Sequence, residues 1–386
     1  GNIEEGLRFT NRIGPDYQNS PYGPASPMFA AAGLGLSVPP SEFGGTNYAV
    51  GGHLTADVLA SITARSTYDA PAGTFNSYFY DLDRQGRELD ARAVFLVEGG
   101  GNDIPAFVPP DQVSSNLVAA AQALRDRGAK YVVLSNVPDF GAAPAGVAIE
   151  GLVRPLILDM NEQVRQKVGS SNILIFDTYK LTQEVVADPM SYGVGVSKEE
   201  VSYASFDADC ATCTQGDPDA KIDGANPNPD SFFFNDDRHP TTIGQQIAGD
   251  YILAILAAPG EIAMLPELGM ADMQAHWRAA HPVMRSNRWI TTTDTGKYTV
   301  WGGGSGGESE RDTDFGDTAT NEILQYDMGF NYRFSQSWYL GGMLSRAENE
   351  LDFDDSNSSY DMESLSFSLI SGVRGERWFL EGALSY

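Results

Sequence analysis

Positive charge is scarce in this chain. Lys and Arg number 25 against 52 Asp and Glu, a net charge of −27 over 386 residues. Such a field repels a polyanion, which disfavours nucleic acid as a partner. The acidic residues are spread through loops and form no single run, as suits solubility at a cell exterior. Long apolar runs are missing too. No stretch approaches the roughly 18 uninterrupted apolar residues of a spanning helix, and the mean hydropathy of −0.26 argues against a helical membrane protein. The best apolar segment, 251–258, is short and ends at Pro259-Gly260. Cysteine occurs only twice, as Cys210-Ala-Thr-Cys213. A zinc site needs two more ligands, and neither a second such pair nor a nearby His pair exists. A thioredoxin-like motif belongs at a helix start after a strand, whereas this one sits in an Asp/Gly/Pro-rich loop. The expectation is a local disulfide between Cys210 and Cys213, clipping a loop in an oxidising compartment.

What is there divides into two halves with different periods, and 386 residues are too many for one ordinary core. Up to about residue 259, short apolar runs alternate with helical segments. Residues 93–97, 131–134 and 172–176 are continuous apolar runs of the kind found in buried parallel strands. Between the first two, Val113, Leu117, Ala120/Ala121 and Leu124 mark one helix face, closed by Gly128 at a C-cap position. Thr242-Ile-Gly-Gln245 fits a capping box, with Ile243, Ile247, Tyr251 and Ile255 as the buried stripe of a last helix. Strand–helix–strand repetition predicts an α/β three-layer sandwich with a mostly parallel sheet.

From about residue 297 the period becomes two. Leu324, Tyr326, Met328, Phe330, Tyr332 and Phe334 alternate with Gln, Asp, Gly, Asn and Arg, and the alternation recurs near Leu365–Val373 and Trp378–Tyr386. Turns at 335–337 and 375–376 are short, while 305–320 and 352–360 read as long acidic loops. Strands of about 9–11 residues or more, unequal turns and aromatics near strand ends predict an outer-membrane β-barrel over a soluble β-domain. Only about five strands are present, too few to close a barrel.

Three segments carry chemistry: Asn47-Tyr48-Ala49-Val50-Gly51-Gly52, Gly100-Gly101-Asn102-Asp103 and Asp236-Asp237-Arg238-His239-Pro240-Thr241. His239 is a natural general base. Asp236, three residues earlier, can reach its Nδ1 within one turn of chain and fix the tautomer, and Asp237 competes for that role. Glycines at a strand's carboxyl end let backbone approach a ligand, which is where open α/β sheets bind. Each segment alone is weak: a solvated His after an acidic turn, a glycine turn and a glycine pair are all common.

Taken in order and spacing, the three resemble the second, third and last conserved blocks of the GDSL/SGNH serine esterases, and Gly1-Asn2 resembles the end of the first. The resemblance implies an SGNH-hydrolase sandwich with His239 and Asp236 as base and orienting acid. It also implies oxyanion donors from the Asn102 amide and a backbone N–H of Gly52, with Gly51 in reserve. It places the nucleophilic serine before Gly1, so residues 1–386 alone should be close to inert. No cofactor or metal is required. An esterase followed by a barrel is similar to the GDSL-type autotransporters. That implies an esterase passenger over 1–259, a linker with helical segments over 260–296 broken by Pro266 and Pro282, and a partial barrel over 297–386. The passenger should face the cell exterior from the outer membrane, with an ester substrate (lipid or small acyl ester) and bilayer lipid as partners. The alternative is a non-catalytic passenger, an adhesin or binding scaffold on the same fold. A calcium loop at Asp217, Asp219, Asp223 and Gly224 fails the required spacing at Lys221. His53 has no role in the resemblance and reads as a pocket-wall or surface residue, while His276 and His281 read as structural. Phe107, Phe140 and Phe232 to Phe234 could line an acyl groove or belong to the core, the Phe run more as a buried strand under the His239 loop.

Overall fold

The computed structural model describes residues 10–11, 22–71, 73–195, 232–288, 295–312, 318–354, 356 and 358–386. Gly1-Asn2, the Cys210–Cys213 pair and the acidic loop at 217–224 lie outside the described residues. The chain divides into two compact units, Gly1–Ile255 and Leu256–Tyr386.

In the first unit the elements run α1 (Ser26–Gly33), α2 (Thr55–Thr63), a hairpin of β1 (Thr67–Ala70) and β2 (Gly73–Asn76), and α3 (Tyr78–Gln85). Then follow β3 (Val94–Val97), α4 (Pro110–Asp126), β4 (Tyr131–Ser135), α5 (Pro144–Val147), α6 (Glu150–Val168), β5 (Leu174–Phe176) and α7 (Thr178–Ala187). Strands β3, β4 and β5 pair in parallel, with Val97 beside Leu134 and Ser135 beside Phe176. This is the helix/sheet domain that the alternating runs foretold. Val113, Leu117, Ala120 and Ala121 are fully buried, so α4 seals the sheet with the face expected of it. Burying such a row, at about 1.5–3 kcal/mol per large aliphatic side chain, holds the layers together.

Helix α8 (Thr242–Arg288) departs from the sequence reading. It continues through Pro259, Pro266 and Pro282, where breaks were expected. An interior proline costs a helix about 3 kcal/mol, and here long-range packing outweighs it. Leu268 lies against Ala319, Leu351 and Phe353, and Ala280 and Met284 against Tyr339, Met343 and Ile370. The merged helix also holds an 18-residue window of mean hydropathy 1.5, apolar enough by composition to cross a membrane, which the short run at 251–258 did not suggest. The expected stripe holds at its start, where Ile243 and Ile247 pack against Phe233 and Phe234, but further on Ile252 and Leu256 are the buried residues and Tyr251 is 38% exposed.

The second unit is a five-stranded antiparallel sheet in sequence order: β6 (Tyr298–Asp312), β7 (Thr318–Arg333), β8 (Trp338–Phe353), β9 (Ser359–Arg374) and β10 (Phe379–Ser385). Its edges, β6 and β10, do not pair with one another among the described residues, so the barrel is partial. The strands are longer than expected, because 305–312 belongs to β6 and not to a loop. Ladder hydrogen bonds need only backbone, so the glycine-rich acidic stretch pairs with β7 as well as an apolar one would.

Strands β7 and β9 are inside out over part of their length, whereas β8 buries Tyr339, Met343, Ala347, Leu351 and Phe353 and exposes Arg346, Glu348, Glu350 and Asp352. Leu324, Tyr326, Met328 and Phe330 of β7 point outward, 44–62% exposed, while the alternating Gln325, Asp327, Asn331 and Arg333 are buried. The buried face meets α8 through polar contacts as well as the apolar ones. Asp272 accepts from Ser364 Oγ at 2.6 Å, and the His276 ring bonds Ser366, Ser368 and Ser385. Apolar outward and polar inward is the pattern of a sheet whose outer solvent is lipid. In the whole protein reconstituted in lipid vesicles, Met328→Arg should cost up to about 2–4 kcal/mol in urea unfolding. A change within about 0.5 kcal/mol, as at a solvated sheet face, would contradict this reading.

Candidate active site

The His239 loop is pinned at both ends by buried groups. Phe232, Phe233 and Phe234 are 3–5% exposed, and Phe233 and Phe234 pack against Ala143, Val185 and Val194. They form no strand among the described residues, only a single bridge from Phe234 to Pro240, because the chain turns back at once. Asn235 N–H donates to His239 O at 2.7 Å and Thr241 N–H to Phe233 O at 2.8 Å. Thr241, not Thr242, caps α8: its hydroxyl accepts from Gly244 N–H at 3.4 Å and donates to Phe232 O at 2.6 Å. Gln245 closes no capping box, since its Oε1 accepts from Ser26 N–H.

Within this turn Asp236 and His239 meet. Oδ2 of Asp236 lies 2.6 Å from His239 Nδ1, and Oδ1 accepts the backbone N–H groups of His239 (2.6 Å) and Arg238 (2.8 Å). The Asp236 side chain is 2% exposed and that of His239 29%. Burial pushes the Asp236 carboxyl up, but the His239 ring and the two backbone donors outweigh it and hold the pKa below the ordinary carboxylate value. Asp237 is engaged elsewhere, by the Arg238 guanidinium at 2.9 and 3.0 Å. Its carbonyl accepts Ala145 N–H at 2.9 Å, tying the loop to the start of α5.

Asn102 and the glycine pair form a second pair of neighbours. Asn102 Nδ2 donates to His53 O at 3.0 Å, joining the loop after β3 to the Gly51-Gly52 turn. Gly52 has φ +84°, open to glycine and strained for other residues, and it stands exposed. Gly100 has φ +101°, and a Cβ there would lie 2.6 Å from Val137 Cγ2. The neighbouring Asp103 is fully buried and accepts Thr55 N–H and Thr55 Oγ1, locking this loop to the first turn of α2. Burial raises the Asp103 carboxyl against the Thr55 donors.

Each pair is tied to a loop that leaves a parallel strand. β3 and β4 are parallel and in register, Asn102 follows β3 by five residues, and Ala145, bound to Asp237, follows β4 by ten. The carboxyl edge of an open α/β sheet is where ligands bind. His53 is no surface residue: it is 6% exposed, its ring meets Tyr68 and Phe75 edge-on, and its Nε2 has no partner. Burial pushes its imidazole down. Sequence reasoning missed Asn11, which is fully buried and accepts Thr242 N–H on Oδ1 at 2.7 Å, three residues beyond His239. Nothing local marked it, since its partner lies more than two hundred residues away.

The sign of the acid dependence follows from Asp236. A depressed carboxylate contributes stability above its unfolded pKa, about 3.9, and that contribution disappears as pH falls through the folded value. Asp236→Asn should therefore lower Tm at pH 6, with the gap to wild type closing below about pH 3.9. A gap constant down to pH 2 would refute the assignment.

Residues 10–252 match the GDSL-like lipase/acylhydrolase family model, and residues 300–386 match the autotransporter β-domain. The chain is 28% identical to esterase EstA of Pseudomonas aeruginosa over 98% of its own length and 62% of that protein's, and equally to EstA of Pseudomonas putida. Lipase 1 of Photorhabdus luminescens is 24% identical over 93% of this chain and 62% of the lipase. The chain thus spans less than two thirds of the length of these relatives. Its parallel-sheet domain and its inside-out strands agree with both matched models: the chain belongs to the GDSL-like lipase/acylhydrolase family and carries an autotransporter β-domain after the hydrolase domain.

Proposed function

We propose that the first unit is the hydrolase domain of a carboxylic ester hydrolase, held at the outer surface of an outer membrane by the barrel. The observation that carries this reading is the 2.6 Å contact between His239 Nδ1 and the buried Asp236, with Asp237 diverted to Arg238. An adhesin has no use for a buried carboxylate aimed at a half-exposed imidazole.

In the proposed reaction Asp236 holds the proton on His239 Nδ1, so Nε2 is the ring nitrogen that accepts one. Nε2 takes the proton of a serine hydroxyl, whose oxygen attacks the ester carbonyl. That serine belongs to the family's first block, which the sequence reading places before Gly1. The carbonyl oxygen becomes an oxyanion, met by Asn102 Nδ2 and the Gly52 N–H, with Gly51 as the neighbouring donor. The intermediate collapses as His239 returns its proton to the leaving alcohol. Water, deprotonated by the same imidazole, then releases the acid and restores the serine. The glycines at 99–101 let backbone lie close to the substrate carbonyl, and the bond from Asn102 to His53 O fixes the amide.

The test is turnover of p-nitrophenyl butyrate by the protein with its Gly-Asp-Ser block, compared with residues 1–386 alone, which should be inactive. Asp236→Asn should lower kcat about 10⁴-fold with KM little changed, and Asn102→Ala should lower it about 10²–10³-fold. If the protein with an intact serine block is silent, or insensitive to a serine-reactive phosphonate, the binding-scaffold alternative takes its place.

A further inference from the structure

Directly after Asn102 and Asp103 the chain reads Ile104-Pro105-Ala106-Phe107-Val108-Pro109-Pro110, seven residues without one polar side chain in a molecule of net charge −27. Ile104 is buried and anchors the segment. Phe107 N–H donates to Ile104 O at 3.1 Å and Val108 N–H to Asp103 O at 3.0 Å, so the segment closes into a compact turn. Pro105, Ala106 and Pro109 are exposed, and Phe107 stands at the tip, 83% exposed. Its φ is +54°, one of only two positive values at non-glycine residues among the described residues. A bulky aromatic in the left-handed region is strained, and such strain persists where function holds it. A turn serving only to reverse the chain would be better served by Gly or Asn at this position.

The turn also lies close to the oxyanion donor. Residues 104 and 107 are a turn apart, about 7 Å at most between Cα atoms, and residue 104 is two positions from Asn102, about 7 Å at most. Phe107 therefore lies within the reach of a medium-length acyl chain whose carbonyl sits at Asn102. We propose that Phe107, on its proline-stiffened turn, is a specificity-determining residue that takes the alkyl tail of the ester substrate. This rests on the esterase reading and goes beyond it by naming the substrate class: esters with a medium to long apolar chain. The partner chemistry follows from the surface itself, which offers apolar area, no hydrogen-bonding side chain and little conformational freedom to lose on binding.

The experiment uses the whole protein with its serine block and p-nitrophenyl esters of increasing chain length, each below its aggregation concentration. Phe107→Asn places a residue tolerant of positive φ at the tip. It should leave Tm unchanged or higher and kcat/KM for the acetate ester unchanged, while kcat/KM for the decanoate ester falls about tenfold. Phe107→Leu should restore most of the decanoate activity. Equal losses on acetate and decanoate overturn the proposal, as does a loss confined to aggregated substrate, which would mark a lipid-surface contact. A second measurement needs no turnover. All five tryptophans lie beyond residue 276, so Phe107→Trp adds a reporter whose emission, taken as the difference from wild type, should shift to the blue when a non-hydrolysable decyl ether is added. No shift overturns the assignment of Phe107 even if esterase activity is present. A shift without any turnover leaves the apolar site standing and removes the esterase reading.

Discussion

The whole candidate site depends on keeping one carboxylate ionised where water cannot reach it. The Asp236 side chain is 2% exposed, and a carboxylate so buried persists as an anion only if donors replace its hydration. Three donors arise within the next three residues: the backbone N–H groups of Arg238 and His239 and the His239 ring. To supply them the segment must curl into one tight turn, and to stay curled it must be fixed from outside. The buried Phe232 to Phe234, the paired Asn235 N–H and Thr241 N–H, and the bond from Ala145 to Asp237 provide that fixation. The imidazole orientation is thus a by-product of satisfying the carboxylate. Electrostatics and tertiary packing are one problem here, solved once.

The same economy joins the second pair of groups. Asp103 is a buried carboxylate too, and its donors come from Thr55 at the start of α2. Because α2 follows Gly52 by only three residues, satisfying Asp103 draws the glycine turn against the loop that carries Asn102, and the Asn102–His53 bond completes the seam. Two buried carboxylates, one beside each segment of interest, thus fix the turn that carries each of them.

What could be read from the sequence divides along the same line. Periodic features were visible because their cause is local. The α4 face ending at Gly128 and the alternation from Leu324 to Phe334 each state in a dozen residues which side meets which solvent. The choice of Asp236 over Asp237 needed the resemblance, since both are within reach of His239 by spacing, and the structure separates them by giving Asp237 to Arg238. What stayed hidden rests on distant partners. Three prolines said that α8 should break, and strands beginning at residue 298 supply packing along its second half. Thr242 resembled a cap because Gln245 stands three residues on, yet Gln245 is taken by Ser26. For His53, read as a pocket-wall or surface residue, nothing nearby in sequence announces that Tyr68 and Phe75 will enclose it.

The two units also show why composition alone could not separate their solvents. An apolar fraction of 42% suffices for a packed interior, but β7 in the second unit turns Leu324, Tyr326, Met328 and Phe330 outward and buries Gln325, Asp327, Asn331 and Arg333. Buried polar groups then need partners. The strands find them in one another and in α8: Ser345 donates to Asp327 Oδ1 at 2.5 Å, Arg333 donates to Asn287 O at 2.5 Å, and Asp272 and His276 meet a row of serines. A purely apolar helix would leave that lining unsatisfied, at a cost of roughly 1–3 kcal/mol for each orphaned group. A fully polar one would lose the contacts of Leu268, Ala280 and Met284. The second half of α8 therefore has to be mixed in polarity along its length, and this mixture, more than its prolines, explains why the segment has no clean amphipathic signal and reads as a linker when taken alone.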